Sequence, residues 1–268
     1  MYFECISQMK TRPLGLILDM DGVLWQDNTP IGNLPAIFER IRNLGLRVVM
    51  ATNNSTKTVT QYQERMAGFG VEVEPWQVIT SSQAVSELLV KRFPDRGDVF
   101  VVGENGIQQA LSEKGFRLVG PDVAQNVDAV VVAIDREITY QKFKEATLFI
   151  RRGAPFYGTN ADLTFPTPEG LIPGSGSFLA LIQAATGVEP IVGGKPAPYL
   201  LELSLERLGT PRDRTLVVGD RLETDIAGGQ SAGIPSALVL SGVTTLEMGK
   251  SWKPEVDLIA RDLASLLD

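Results

Sequence analysis

The run Leu14-Gly15-Leu16-Ile17-Leu18-Asp19-Met20-Asp21-Gly22-Val23 couples an unbroken apolar segment to two carboxylates and a glycine. A short apolar run that ends in turn residues has the pattern of a strand buried on both faces. Two carboxylates two residues apart at the end of such a strand repel each other and resist desolvation unless a cation compensates. Magnesium suits the position, because it binds through one or two carboxylates plus waters and phosphate oxygens. Gly22 lets the chain turn away tightly. For this stretch alone, a plain Asp-Gly turn closing a strand is an equally open reading.

Working outward, Leu46 to Ala51 is a second buried strand. Between the two, Pro35 to Leu44 carries Ile37, Ile41 and Leu44 at helical spacing with Gly45 as a stop, which makes a βαβ unit. Val59, Tyr62, Met66 and Phe69 predict the next helix, closed by Gly70. The C-terminal third repeats this grammar. Pro196 occupies a first helical position, Tyr199 to Leu208 is amphipathic before Gly209, and Thr215 to Val218 is a buried strand. A helix from Thr224 to Ala232 and a strand from Ser236 to Leu240 follow. The alternation implies a mostly parallel α/β sheet with helices on both faces. The middle reads as an inserted α/β unit: strands at Asp98 to Gly103, Val127 to Ile134 and Pro155 to Gly158, a helix at Thr139 to Arg152, and a Pro- and Thr-rich loop from Thr159 to Pro173. The expected boundaries are 1–86 and 188–268 for the core and 87–187 for the insertion.

Composition removes several kinds of chemistry. The chain has 268 residues, no histidine and one cysteine, Cys5. Without histidine there is no Ser/His/Asp or Cys/His pair, and one cysteine completes neither a zinc site nor an internal disulfide. Catalysis must rest on carboxylates, lysine, hydroxyls and a hard metal. A net charge of −7 argues against a nucleic-acid or anionic-membrane surface. No apolar run reaches about 18 residues, and Met1 to Arg12 lacks the pattern of a leader, so a soluble cytoplasmic protein is expected.

Three more polar clusters sit at strand-to-helix junctions, where open parallel sheets place ligands. Thr52-Asn53-Asn54-Ser55 follows the second strand and either directs hydroxyl and amide groups at a phosphate or caps a helix. Gly193-Gly194-Lys195-Pro196 brings a lysine out of a glycine-rich turn, either into a phosphate site or onto the surface. Gly219-Asp220-Arg221-Leu222-Glu223-Thr224-Asp225 supplies two further carboxylates, with Glu223 or Thr224 available as caps. Together the four clusters compose a metal-and-phosphate site.

This ordered set, Asp19-Met20-Asp21-Gly22-Val23, Thr52-Asn53-Asn54, Lys195-Pro196 and Gly219 to Asp225, resembles the four motifs of haloacid dehalogenase-like (HAD) phosphatases. The late insertion, with Thr159-Asn160-Ala161-Asp162, Pro173-Gly174-Ser175-Gly176 and Leu240-Ser241-Gly242-Val243-Thr244, is similar to the NagD-like branch. The resemblance implies a doubly wound, Rossmann-like parallel core with an inserted α/β cap domain. It implies that Asp19 is the nucleophile and Asp21 the acid and then the base. It further implies that Asp19, the Asp21 carbonyl and Asp220 hold Mg2+, and that Thr52, Asn53, Asn54 and Lys195 hold phosphate. Asp225 would orient Lys195 or a metal-bound water from a second shell. Asn160, Asp162 and Phe165 are the cap residues expected to meet the leaving group of a small phosphorylated metabolite: a sugar phosphate, phosphoglycolate or nucleotide. Since some relatives dimerise, a homodimer through the cap is a candidate assembly.

Asp21 argues against metal-free dehalogenase chemistry, and the late insertion against a phosphonatase. A phospho-accepting signalling domain is the alternative of another class, but it would need neither Asp21 nor the insertion. A dinucleotide site fails because Leu179 stands where the glycine fingerprint beginning at Gly174 requires Gly or Ala.

Overall fold

A computed structural model describes residues 3–120, 126–167 and 169–268, without the side chains of 165–167. The chain forms two compact units. The first comprises Met1–Thr52, Thr60–Ile79 and Lys195–Asp268, and the second Asn53–Val59 and Thr80–Gly194.

The first unit is built on a six-stranded sheet in the order Leu258–Ala260, Ser236–Val239, Thr215–Gly219, Gly15–Leu18, Arg47–Thr52, Val78–Thr80. The pairings from Leu258–Ala260 through Arg47–Thr52 are all parallel. Leu16, Ile17 and Leu18 in the central strand are buried, as are Val49, Met50 and Ala51 beside them and Leu216, Val217 and Val218 on the other side. Strands hidden on both faces explain the continuous apolar runs. Helix Leu34–Asn43 begins where Asn33 accepts a hydrogen bond from the Ala36 amide, and it buries Leu34, Ile37, Phe38 and Ile41. Helix Val59–Gly68 buries Tyr62 and Met66, and helix Tyr199–Leu208 closes on Gly209 in the left-handed conformation.

The second unit has a five-stranded sheet, ordered Ile191–Val192, Phe156–Gly158, Ala129–Val132, Asp98–Val102, Arg117–Val119 and parallel throughout. One core cluster gathers Val85, Leu89, Val99, Ile107 and Leu111, and the other Phe100, Val130, Phe149, Phe156 and Ile182. Each lies against one face of the sheet, because alternate residues of a strand point to opposite sides.

Several expectations need adjustment. The insertion runs from Thr80 to Gly194, not 87 to 187. Helix Ser81–Arg92 contributes Val85 and Leu89 to the second unit's core, and the Gly193 and Gly194 amides bond to the Gly158 and Thr159 carbonyls. Asn53–Val59, expected in the core, belongs to the second unit. Gly106 fits against it so closely that a Cβ there would lie 2.3 Å from the Ser55 carbonyl oxygen. The expected loop Thr159 to Pro173 contains an antiparallel hairpin, Thr164–Thr167 with Gly170–Pro173. Pro166 and Thr167 disguised it, and proline is tolerated there because each strand of a two-stranded hairpin is an edge. Pro196 precedes its helix in a turn instead of opening it; the N-cap is Pro198. The helix expected from Thr224 starts as a π-type turn, Leu222–Ile226, and continues as Ala227–Ala232. Among the described residues no helix is long and apolar enough to cross a membrane.

Candidate active site

Leu18 pairs with both Val218 and Met50, so the three central strands of the first unit end level with one another. Asp19 continues its strand by donating its amide to the Val218 carbonyl at 2.8 Å. Thr52 is the last residue of Arg47–Thr52, and Asp220 follows Thr215–Gly219 directly. Arg47–Thr52 and Thr215–Gly219 lie on opposite sides of Gly15–Leu18, so the chain leaves the central strand toward one edge of the sheet and later returns to build the other. This is a topological switch point, where a crevice opens at the carboxyl ends of an open parallel sheet.

Lys195 reaches the same place from the end of the insertion. It is 2% exposed, and its ammonium donates to Asp19 Oδ1 at 2.6 Å, Asp225 Oδ1 at 2.6 Å and the Ala51 carbonyl at 3.0 Å. Three N–H groups thus meet three acceptors. Burial alone would lower the lysine pKa, but Asp19 and Asp225 together raise it above its ordinary value, so the cation is held firmly. Asp225 spends its second oxygen on the Arg221 amide at 3.1 Å. The π-type turn wraps this carboxylate so tightly that a Cβ on Gly219 would lie 2.2 Å from its Cβ. The Asp19 pKa is raised by burial, with Asp225 and Asp220 adding to the rise and Lys195 opposing it.

Asp220 is cradled by backbone. Its Oδ2 accepts from the Val243 amide at 2.9 Å, and a Cβ would fall 1.9 Å from that oxygen at Gly242 and 2.5 Å from it at Gly22. Ser241 ties the same loop down by donating to the Gly22 carbonyl at 2.7 Å. Burial first, then Asp225, raise the Asp220 pKa to about 6.

Asp19, Asp220 and Asp225 each offer an oxygen within 4.8 Å of the others. Three carboxylates facing one ammonium leave an excess of negative charge, and an all-oxygen donor set suits a hard divalent cation. The residues therefore fit such an ion. Because both Asp225 oxygens already accept hydrogen bonds, Asp19 and Asp220 are its better ligands. The Asp21 carbonyl accepts no hydrogen bond among the described residues and could serve as a further oxygen donor.

Asp21 itself is exposed and turns its carboxylate to Trp25, whose indole Nε1 donates to Oδ1 at 2.8 Å. Thr52 is buried, and its side chain lies near enough to the Tyr62 phenol to temper that group's pKa. Burial first, then the Asp21 carboxylate, raise the Tyr62 pKa, so the phenol keeps its proton.

The remaining sequence candidates lie in the second unit. Asn53 donates its side-chain amide to Asp162 Oδ2 at 3.3 Å, and its carbonyl accepts from Asn160 Nδ2 at 2.8 Å and from Ser81 Oγ at 2.6 Å. Asn54 Oδ1 accepts from the Thr56 amide and hydroxyl at 2.9 and 2.8 Å, a local Asx-type turn. Phe165 pairs with Ile172 in the hairpin, and its side chain lies outside the described residues.

A family model described as haloacid dehalogenase-like hydrolase matches residues 16–117, and a second, HAD-hydrolase-like, matches 192–266. The 5'-nucleotidase YutF of Bacillus subtilis is 38% identical over 239 residues, 89% of this chain and 91% of its own. The acid sugar phosphatase of Staphylococcus epidermidis is 32% identical over 231 residues, 86% and 88% of the two chains. The chain belongs to the haloacid dehalogenase-like hydrolases. A glycerol phosphate phosphatase from Mycobacterium tuberculosis, solved in complex with magnesium, superposes with a TM-score of 0.89 at 32% identity over 98% of this chain and 78% of its own. Within the HAD-like hydrolases the chain is a NagD-like phosphatase, a phosphoric monoester hydrolase.

For this HAD-like phosphatase, sequence reasoning overlooked Trp25, Tyr62, the hold of Ser241 on the Gly22 carbonyl and that of the Val243 amide on Asp220. The run Leu240 to Thr244 was a visible signal without an assigned task. A tryptophan four residues after Asp21 was a signal too, but it reads equally well as core.

Proposed function

We propose that the protein is a magnesium-dependent phosphatase that hydrolyses a small phosphorylated metabolite through an aspartyl phosphate on Asp19. Asp19 attacks phosphorus; the ester P–O bond breaks, and the departing oxygen keeps the electron pair and takes a proton from Asp21. Asp21 then accepts a proton from water as the water oxygen attacks phosphorus. The bond from phosphorus to Asp19 breaks, inorganic phosphate leaves, and both carboxyls return to their starting states. Asp19, the Asp21 carbonyl and Asp220 would hold the cation, which when bound offsets charge on the transferring phosphoryl group. Thr52, Asn53, Asn54 and Lys195 form the phosphate-holding set, and Asp225 positions Lys195.

The observation carrying this reading is the pairing of buried Lys195 with Asp19. It holds the carboxylate at the end of the central strand, beside Asp220. The relatives' names support the substrate class: a 5'-nucleotidase, an acid sugar phosphatase and a glycerol phosphate phosphatase all take small phosphomonoesters. We assign choice among sugar phosphates, phosphoglycolate and nucleotides to the inserted unit acting as a cap, with Asn160, Asp162 and Phe165 as candidate determinants, and we place the enzyme in the cytoplasm. Phosphate release from p-nitrophenyl phosphate should require Mg2+ and vanish in Asp19→Asn. Turnover by that variant at the wild-type rate would overturn the reading. A screen of phosphorylated metabolites then ranks substrates by kcat/KM, and Asp162→Ala should reorder that ranking more than it lowers the rate with the aryl ester.

A further inference from the structure

Trp25 is 0% exposed, yet its one polar group is directed at an exposed side chain, Asp21. A buried indole N–H must find an acceptor, and here the acceptor is Asp21 Oδ1 at 2.8 Å. The loop between the two residues is clipped by backbone as well, with Gly22 N donating to the Trp25 carbonyl at 2.7 Å and Trp25 N to the Met20 carbonyl at 3.3 Å. The ring itself is immobilised. Tyr62 stacks on it with centroids 6.3 Å apart and planes 15° from parallel, and Phe69 tilts against it at 5.9 Å. The Arg65 guanidinium lies 4.2 Å from the ring centroid and is anchored in turn by the Asp27 carbonyl. A cation over the ring face is attracted to it, which fixes the indole further.

An indole donates one hydrogen bond and accepts none. Asp21 Oδ1 is therefore kept as an acceptor, and Oδ2 remains as the oxygen that gives and takes the proton. We propose that Trp25 is the positioning residue for the Asp21 acid and base: its N–H selects one carboxylate rotamer and one working oxygen, an inference that rests on the phosphatase reading above. The exposed carboxylate would otherwise rotate among several staggered positions, and a displaced acid loses much of the two to four decades that general acid–base catalysis supplies.

The test replaces Trp25 by Phe, which keeps an aromatic ring for the stack, and separately by benzothienylalanine, which keeps the indole shape and lacks the N–H. Steady-state rates are measured with an alkyl ester, glycerol 3-phosphate, and with p-nitrophenyl phosphate, whose leaving group hardly needs an acid. The expected result is a fall in kcat/KM of about ten-fold for the alkyl ester and at most about three-fold for the aryl ester, with the thermal midpoint of the benzothienylalanine protein unchanged. In an Asp21→Asn background the same replacements should change neither rate further, because Trp25 acts through that carboxylate. Equal losses on both esters, or an undiminished loss in the Asp21→Asn background, overturn the positioning role while leaving the phosphatase reading intact. Full activity of Asp21→Asn on the alkyl ester overturns the acid assignment and this inference with it. Should Trp25→Phe fold poorly, the isosteric variant alone decides the question.

Discussion

Lys195 Nζ stands 2.6 Å from Asp225 Oδ1, with 3% of the lysine side chain and 2% of the aspartate side chain reaching water. Neither charge is tolerable there alone. Asp225→Ala should cost about 3–5 kcal/mol of stability, because it leaves Lys195 and the Arg221 amide short of a buried partner. Asp225→Asn keeps the shape, so a smaller loss is expected, while activity falls at least about ten-fold. Excess Mg2+ should not restore that activity. Recovery at high metal concentration would instead make Asp225 a direct ligand.

As a proposed metal ligand, Asp220 would link metal binding to pH. Its pKa of about 6 in the folded protein lies above the unfolded value of 3.8. The native state therefore holds this proton longer. The stabilisation is fully present below the unfolded value and is lost as pH rises through about 6, a change of roughly 3 kcal/mol at about 1.4 kcal/mol per unit. A cation competes for the same oxygens, so the rise in thermal midpoint on adding Mg2+ should be small at pH 5 and large at pH 7.5. Asp220→Asn should shrink that difference to the part carried by Asp19, whose pKa burial also raises. Thermal scans of the metal-free and metal-loaded protein at the two values measure it.

Gly242 has no room for a side chain, since a Cβ would sit 1.9 Å from Asp220 Oδ2. Gly242→Ala should push the carboxylate off its Val243 amide. The expected outcome is about 1–3 kcal/mol of lost stability and a higher Mg2+ concentration for half-maximal activity. A variant with wild-type metal dependence would mean that the cradle does not set the Asp220 position.

Within the second unit, Thr159 Oγ1 donates to Ser55 Oγ at 3.2 Å and lies 3.3 Å from Ser175 Oγ, all three being buried. Ser82 Oγ donates to the Ser55 carbonyl at 3.1 Å. Thr159→Val keeps the volume and strands two hydroxyls, which should lower stability by about 1–3 kcal/mol. Chemical denaturation should show it, and a stability equal to wild type would mean that water or another group takes over these bonds.

The core strands were legible because burial on both faces writes itself as unbroken apolar runs: Leu16 to Leu18, Val48 to Ala51 and Leu216 to Val218 needed no tertiary information. The helix Tyr199–Leu208 was legible to the residue, since Gly209 takes the left-handed conformation its position demanded. The hairpin formed with Thr164–Thr167 was illegible because its second strand, Gly170–Pro173, is mostly exposed and so carries no apolar alternation. Strand Ile191–Val192 is two residues long and pairs only at the sheet edge, below any periodicity. The gathering of Asp19, Lys195, Asp220 and Asp225 could be anticipated from strand ends followed by polar residues. The Trp25 bond to Asp21 could not, because a tryptophan in an apolar neighbourhood carries no mark of where its N–H points.

The bond between Lys195 and Asp19 spans 176 positions of sequence. During synthesis, Asp19 and its strand emerge long before the lysine that pairs with it, and the neighbouring strand Thr215–Gly219 emerges later still. The stretch Thr80–Gly194 carries its own sheet and can close on contacts among nearer residues. The nascent chain is thus expected to acquire the inserted unit first and a competent acidic centre last, so that a ribosome stalled before Lys195 releases no partly active enzyme.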